Sequence, residues 1–167
     1  MSPRAAWRLE TLGFQHVFVY SAGKVDWLAA GLPTQGANAR KPRVGTIARR
    51  DVPTCGLGER VGEVAERVRA SGWDQCVVVN EQNVVLGRLN DRILAGNREA
   101  LAEQVMDPGP VTYRPHEIAH EAAHHLIERR VKTVLVTTAD GVLSGVFRAE
   151  DGLETGVDPS RDEDRRE

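Results

Sequence analysis

The chain has 167 residues, 41% of them hydrophobic and 28% charged, enough for one ordinary core or one core with a small appendage. Its 22 basic and 24 acidic residues are intermixed and leave a net charge of -2, so there is no field of one sign to hold nucleic acid or an anionic membrane. No apolar run is long enough to cross a bilayer, the first residues lack a secretory pattern, and the two cysteines, Cys55 and Cys76, form no framework, which together predict a cytoplasmic protein.

In chain order, the first element is a short helix with Ser2 as its cap and Trp7 and Leu9 among its residues. It is expected to run into a strand over Val17-Phe18-Val19-Tyr20. Residues 37–43 are basic and small and read as a linker.

A repeated unit follows. Leu57, Val61, Val64, Ala65 and Val68 recur at helical spacing, and Gly72 marks the helix end. Cys76-Val77-Val78-Val79 is an apolar strand, residues 80–83 a polar turn, Val84 to Leu89 the returning strand, and Asp91 to Leu94 a short helix. The program then repeats. Pro115 lies near a helix start, Ile118, Ala119, Ala122, Ala123 and Leu126 share one face, Thr133 to Val136 is a strand, and Asp140-Gly141 a tight turn. Val142 to Phe147 return and Ala149 to Leu153 turn helical. Matching Val61 to Ile118 and Gly87 to Gly145 costs a slip of one residue, and puts His125 in the place of Val68, at the core edge. Extended pieces are expected ahead of each repeat, over Val44 to Ile47 and Gln104 to Met106, where nearby prolines disfavour helix. Residues 156–167 are almost wholly polar and charged and predict a disordered tail.

This pattern resembles the tandem CBS domain family. The residues that carry it are Val142-Leu143-Ser144-Gly145-Val146-Phe147 with Asp151, and a weaker Val85-Leu86-Gly87-Arg88-Leu89-Asn90. The resemblance implies an α/β (α+β) fold: two β-α-β-β-α repeats, 44–98 and 99–155, packed sheet to sheet as a Bateman module, with a helix-strand appendage. It also implies a regulatory module for an adenine nucleotide or S-adenosylmethionine, with AMP and ATP as the natural probes, and a disc-like homodimer. In the family, a hydroxyl and a carboxylate after the glycine hold the ribose. Here those positions are Asn90 and Ile93 in the first repeat, and Arg148 and Asp151 in the second. The expected ligand-binding residues are therefore Asp151, Arg148 and Asn90, with at most one nucleotide site. Arg148 either meets a ligand phosphate or pairs with Asp151 and closes the cleft, which leaves a structural or interaction module as the alternative.

Residues 2–36 resemble the C-terminal part of a rhodanese, on Trp7-Arg8-Leu9, Leu12-Gly13-Phe14 and Ala30-Gly31-Leu32-Pro33. The persulfide cysteine such chemistry needs would precede Met1, so no catalytic residue is expected. Sulfurtransferase activity is expected only if translation starts upstream. His116, His120 and His124 stand four apart on one helix, a spacing able to chelate a transition metal. A polar helix face explains them as well, and no metal is expected.

Overall fold

The structure, a computed structural model, describes residues 3–155, and the Ser2 cap and the predicted tail at 156–167 lie outside them. The chain divides after Arg40 into two compact units.

The first unit holds α1 (Pro3–Thr11) and α2 (Gly23–Ala29). The strand expected at 17–20 does not form. A strand needs a neighbour for its backbone groups, and among the described residues none pairs with this segment, whose Phe18 is 84% exposed. Order here is local. The Tyr20 hydroxyl donates to Asp26, Tyr20 packs edge-on against Trp27 at 5.2 Å, and the Trp27 indole donates to the Pro33 carbonyl at 2.8 Å.

The second unit contains both repeats. It opens with α3 (Val44–Ile47) and β1 (Thr54–Cys55), followed by α4 (Val61–Ser71), β2 (Cys76–Val79), β3 (Val85–Leu89) and α5 (Asp91–Leu94). The second repeat runs through α6 (Ala102–Val105), β4 (Asp107–Pro108), β5 (Thr112–Tyr113), α7 (Ala119–Glu128), β6 (Thr133–Thr137), β7 (Leu143–Arg148) and α8 (Ala149–Glu154). One sheet has the order β1-β2-β3-β4, the other β5-β6-β7, each with a parallel first pair and an antiparallel hairpin.

Turn chemistry places the hairpins. Gly72 closes α4 in the left-handed region at φ 72°, where a residue without a Cβ costs least, and Gly141 turns the second hairpin at φ 82°. The Asn80 side chain accepts from Gln82 and Val84 in the first turn. The two turns then meet: Val85 N–H donates to Gly141 and Leu143 N–H to Asn83, joining the hairpins of the two repeats.

Of the pieces expected to be extended, 44–47 is the single helical turn α3, and 104–105 close the single helical turn α6, with only Met106 extended. At the third position of each turn a polar side chain reaches back to the backbone ahead of it: Thr46 accepts from Arg43 N–H, and Gln104 from Leu101 N–H. The prolines act further along, where β1, β4 and β5 begin. These turns also cross over. Val44 and Ala48 are buried with Ala119, Ala122, Ala123 and Phe147 of the second repeat, whereas Ala102, Val105 and Met106 pack with Val64, Val68 and Val77 of the first.

The step between repeats is constant. The interval from Gly72 to Arg130, both left-handed helix ends, also separates Gly87 from Gly145 and Glu59 from Glu117, whose carboxylates accept the Gly56 and Arg114 N–H groups. No slip is needed, because Ile118 is the residue ahead of α7 and Ala119 stands where Val61 does. His125 is consequently exposed, and Leu126 takes the buried place of Val68.

Candidate functional site

Each crossing segment is received by a glycine on the hairpin of the other repeat. At Gly145, φ 147°, a Cβ would lie 2.6 Å from the Arg49 carbonyl oxygen; at Gly87 it would lie 2.6 Å from the Met106 sulfur and 2.9 Å from the Asp107 carbonyl oxygen. These glycines therefore serve close backbone approach. Arg49 and Val146 exchange two backbone hydrogen bonds of 2.8 Å, and Asp107 lies opposite Arg88 in the β3–β4 pair. Side chains then tie each segment to the helix that follows the hairpin. In the first repeat Asn90 donates to Asp107 at 2.8 Å while its oxygen caps α5 through Ile93 N–H. In the second, Arg49 grips both oxygens of Asp151, at 3.0 and 2.9 Å.

Two clefts flank the contact between Gln75 and Thr133, which stand at equivalent places in the repeats, 3.5 Å apart. The cleft beside β3 encloses about 370 Å³. Its wall runs from residues 107–111 and Tyr113 across Arg88 and Gln75 to Arg129 and Val131, and reaches Leu126 and Leu135 of the core. The Arg88 Nε is buried in it with no hydrogen-bond partner among the described residues. A buried polar group left without a partner costs about 1–3 kcal/mol, so this atom favours an acceptor.

The cleft beside β7 encloses about 390 Å³, but its lining is confined to residues 72–74, 132–133 and 148–150, and no residue of the crossing segment at 49–55 contributes. Trp73 explains this. Its indole, 7% exposed, donates to Asp51 of that segment at 3.4 Å and lies 4.9 Å beneath the Arg148 guanidinium. Arg148 also approaches Glu150 at 3.5 Å, and its Nε has no partner among the described residues.

The three residues read from the sequence are thus placed but not assembled. Asp151 is held by Arg49, Arg148 lies on Trp73 beside Glu150, and Asn90 caps a helix and holds Asp107 in the other cleft. Of the two roles the sequence left open for Arg148, the closing pair with Asp151 is not formed, since Asp151 is held by Arg49. Sequence reasoning missed Arg49, Trp73 and Arg88; an arginine in the middle of a strand reading as apolar was a signal for the last.

Elsewhere, Cys55 and Cys76 are both buried. Interaction between the two thiols lowers the Cys55 pKa against the effect of burial and, together with burial, raises that of Cys76, whose Sγ donates to the Val77 carbonyl. On α7, His120 and His124 approach each other at 3.1 Å through their Nε2 atoms. His116 does not join them by contact; its carbonyl accepts from Arg43. No group of three metal-ligating side chains occurs among the described residues, and none of their helices is long and apolar enough to cross a membrane.

Similarity to known proteins agrees with this architecture. An uncharacterized protein of Methanopyrus kandleri is 26% identical over 123 residues, 69% of this chain and 63% of the relative, so the chain spans somewhat less than two thirds of that relative's length. The CBS domains of a transcriptional regulator from Streptococcus pneumoniae superpose with a TM-score of 0.61 at 18% identity, over 67% of this chain and 97% of that one. The cytosolic domain of the Mg2+ channel MgtE in complex with ATP does so with a TM-score of 0.61 at 21% identity, over 71% of this chain and 51% of that one. The CBS domain family matches residues 44–96 and 102–156, two copies in tandem over more than half of the chain, and the chain belongs to that family.

Proposed function

We propose that this CBS pair is a regulatory module that binds a small adenosyl-type ligand, of the AMP, ATP or S-adenosylmethionine class, in the cleft beside β3. The observation that carries this reading is the unpartnered Arg88 Nε in a cleft whose walls combine opposite chemistries. Arg88 and Arg129 suit a phosphate or carboxylate, Val111, Tyr113 and Val131 suit the faces of a planar ring, and Asp107 is an acceptor for sugar hydroxyls. Asn90 then acts by orienting Asp107 rather than by touching the ligand. The neighbour solved with ATP makes a nucleotide the first probe.

The same reading assigns no catalysis. The chain has two cysteines, both buried, so neither offers an accessible thiolate for sulfur transfer, and no metal is invoked. In the dimer that this reading includes, Ile127 and Leu153, exposed on α7 and α8, are apolar positions for a partner to cover.

Isothermal titration with AMP, ATP and S-adenosylmethionine tests the proposal. Losing a charge-assisted hydrogen bond, worth about 1.5–3 kcal/mol, predicts that Arg88→Met weakens the bound nucleotide roughly 10- to 100-fold. Absence of binding by all three at millimolar concentration would favour the second reading, a structural or interaction module. The observation favouring that reading is the β7-side cleft, where Arg49 already holds Asp151 and Trp73 lies between Asp51 and Arg148.

A further inference from the structure

The two clefts descend from equivalent backbone, so a position in one has a counterpart in the other. Gly72 and Arg130 both end their helices in the left-handed region, which makes Trp73 and Val131 the residues that follow at matching places. Val131 is 40% exposed and lines the β3-side cleft with Tyr113 and Val111. Trp73 is almost wholly buried and spans the corresponding gap, from Asp51 on the crossing segment to Arg148 at the start of α8. A planar ring with one edge hydrogen-bonded and one face under a cation is also what a ligand's base would present to such a cleft. The counterpart of Asp51 is Gly109, which lines the open cleft and offers no side-chain acceptor for an indole. The two similar volumes do not contradict this, since the β7-side space lies outside Trp73 and touches nothing of 49–55.

We infer that the Trp73 indole is a built-in occupant of the β7-side cleft, so that each chain takes one ligand rather than two. This rests on the reading of the β3-side cleft as a nucleotide site. Trp73 holds the closed arrangement from within, with Arg148 as its cover and the Arg49–Asp151 pair fastening the adjacent segment. The specificity-determining position is then the residue that follows the left-handed helix end: small in an open cleft, aromatic in a closed one.

Titration calorimetry of the full chain with AMP reads the stoichiometry. The wild type is expected to bind one AMP per chain, and Trp73→Val two. Because Trp73 is buried, the fold of that variant is checked by circular dichroism, and the converse substitution is made in parallel. Val131→Trp, at an exposed position, is expected to bring the wild-type stoichiometry of one to none without loss of fold. Two AMP per wild-type chain, an unchanged single site in folded Trp73→Val, or undiminished binding in Val131→Trp would overturn the inference while leaving the nucleotide reading intact. No binding by any of the three chains would overturn that reading, and this inference with it.

Discussion

The two repeats solve one mechanical problem with different side chains. Each must hold a segment that arrives from the other repeat, and each places a glycine under its backbone to receive it. The first repeat then fastens that segment with a neutral amide, Asn90 to Asp107, and leaves the space beside it open. The second uses an ion pair, Arg49 to Asp151, and fills the space with Trp73 and Arg148. Backbone equivalence is therefore a poor guide to binding equivalence. The clefts differ because an aromatic ring and its cation occupy one of them and a valine borders the other.

Substitutions at matching positions sharpen this contrast, and the receiving glycines should show the largest effect. Gly145→Ala meets the Arg49 carbonyl at 2.6 Å in a region of positive φ, where neither backbone can yield, and is expected to destabilise the fold by about 3 kcal/mol. Gly87→Ala meets the flexible end of Met106 as well as backbone, with no positive φ, and is expected to cost about half as much. Urea unfolding of the two variants checks the order, and an equal or reversed cost would deny the asymmetry between the receiving sites.

The fastenings come next. Arg49→Met leaves the Asp151 carboxylate, the less exposed member of the pair, without its bidentate partner, and is expected to lower the melting temperature more than the loss of the amide fastening does. Asn90→Ala removes a helix cap and the bond to Asp107, for about 1 kcal/mol. Thermal melts of both, with Asp151→Asn as a second probe of the ion pair, test whether the charged fastening is the stronger.

The smallest effect is electrostatic. Burial pushes the Glu59 carboxyl up, but the Gly56 N–H and the Arg67 guanidinium outweigh it and hold the pKa below its ordinary value. Since the folded pKa is depressed, the stabilisation is complete above the unfolded value of about 4.3 and is lost as pH falls through the folded pKa. Glu59→Gln should therefore flatten part of the acid limb of a stability profile measured from pH 6 to pH 3. The pair with Arg67 is substantially exposed, so the change is a fraction of that produced by Arg49→Met.

Much of the fold was legible in local pattern. The apolar spacing of α4 and α7, the helix-ending Gly72, the Asp140-Gly141 turn and the two strand pairs all follow from rules that act over a few residues, and the structure has them. The family's hairpin glycines were also visible, although not their reason, which is the approach of a distant backbone. What escaped were the helical turns at 44–47 and 102–105, since 44–47 and 104–106 were read as extended because prolines lie near them. These turns depend on Thr46 and Gln104 and on burial in the opposite repeat, and nothing in the local pattern names that partner.

The candidate site divides in the same way. Sequence alone determined that there are two copies of one unit, and that Ile93 stands in the first where Asp151 stands in the second. Tertiary structure decided which arginine meets Asp151, because Arg49 is brought to it by the crossing backbone while the adjacent Arg148 is drawn to the face of Trp73. Competition among side chains for one carboxylate or one cavity is settled by distance in space. Residues far apart in the chain win it when the fold carries them there, and that choice separates an open cleft from a filled one.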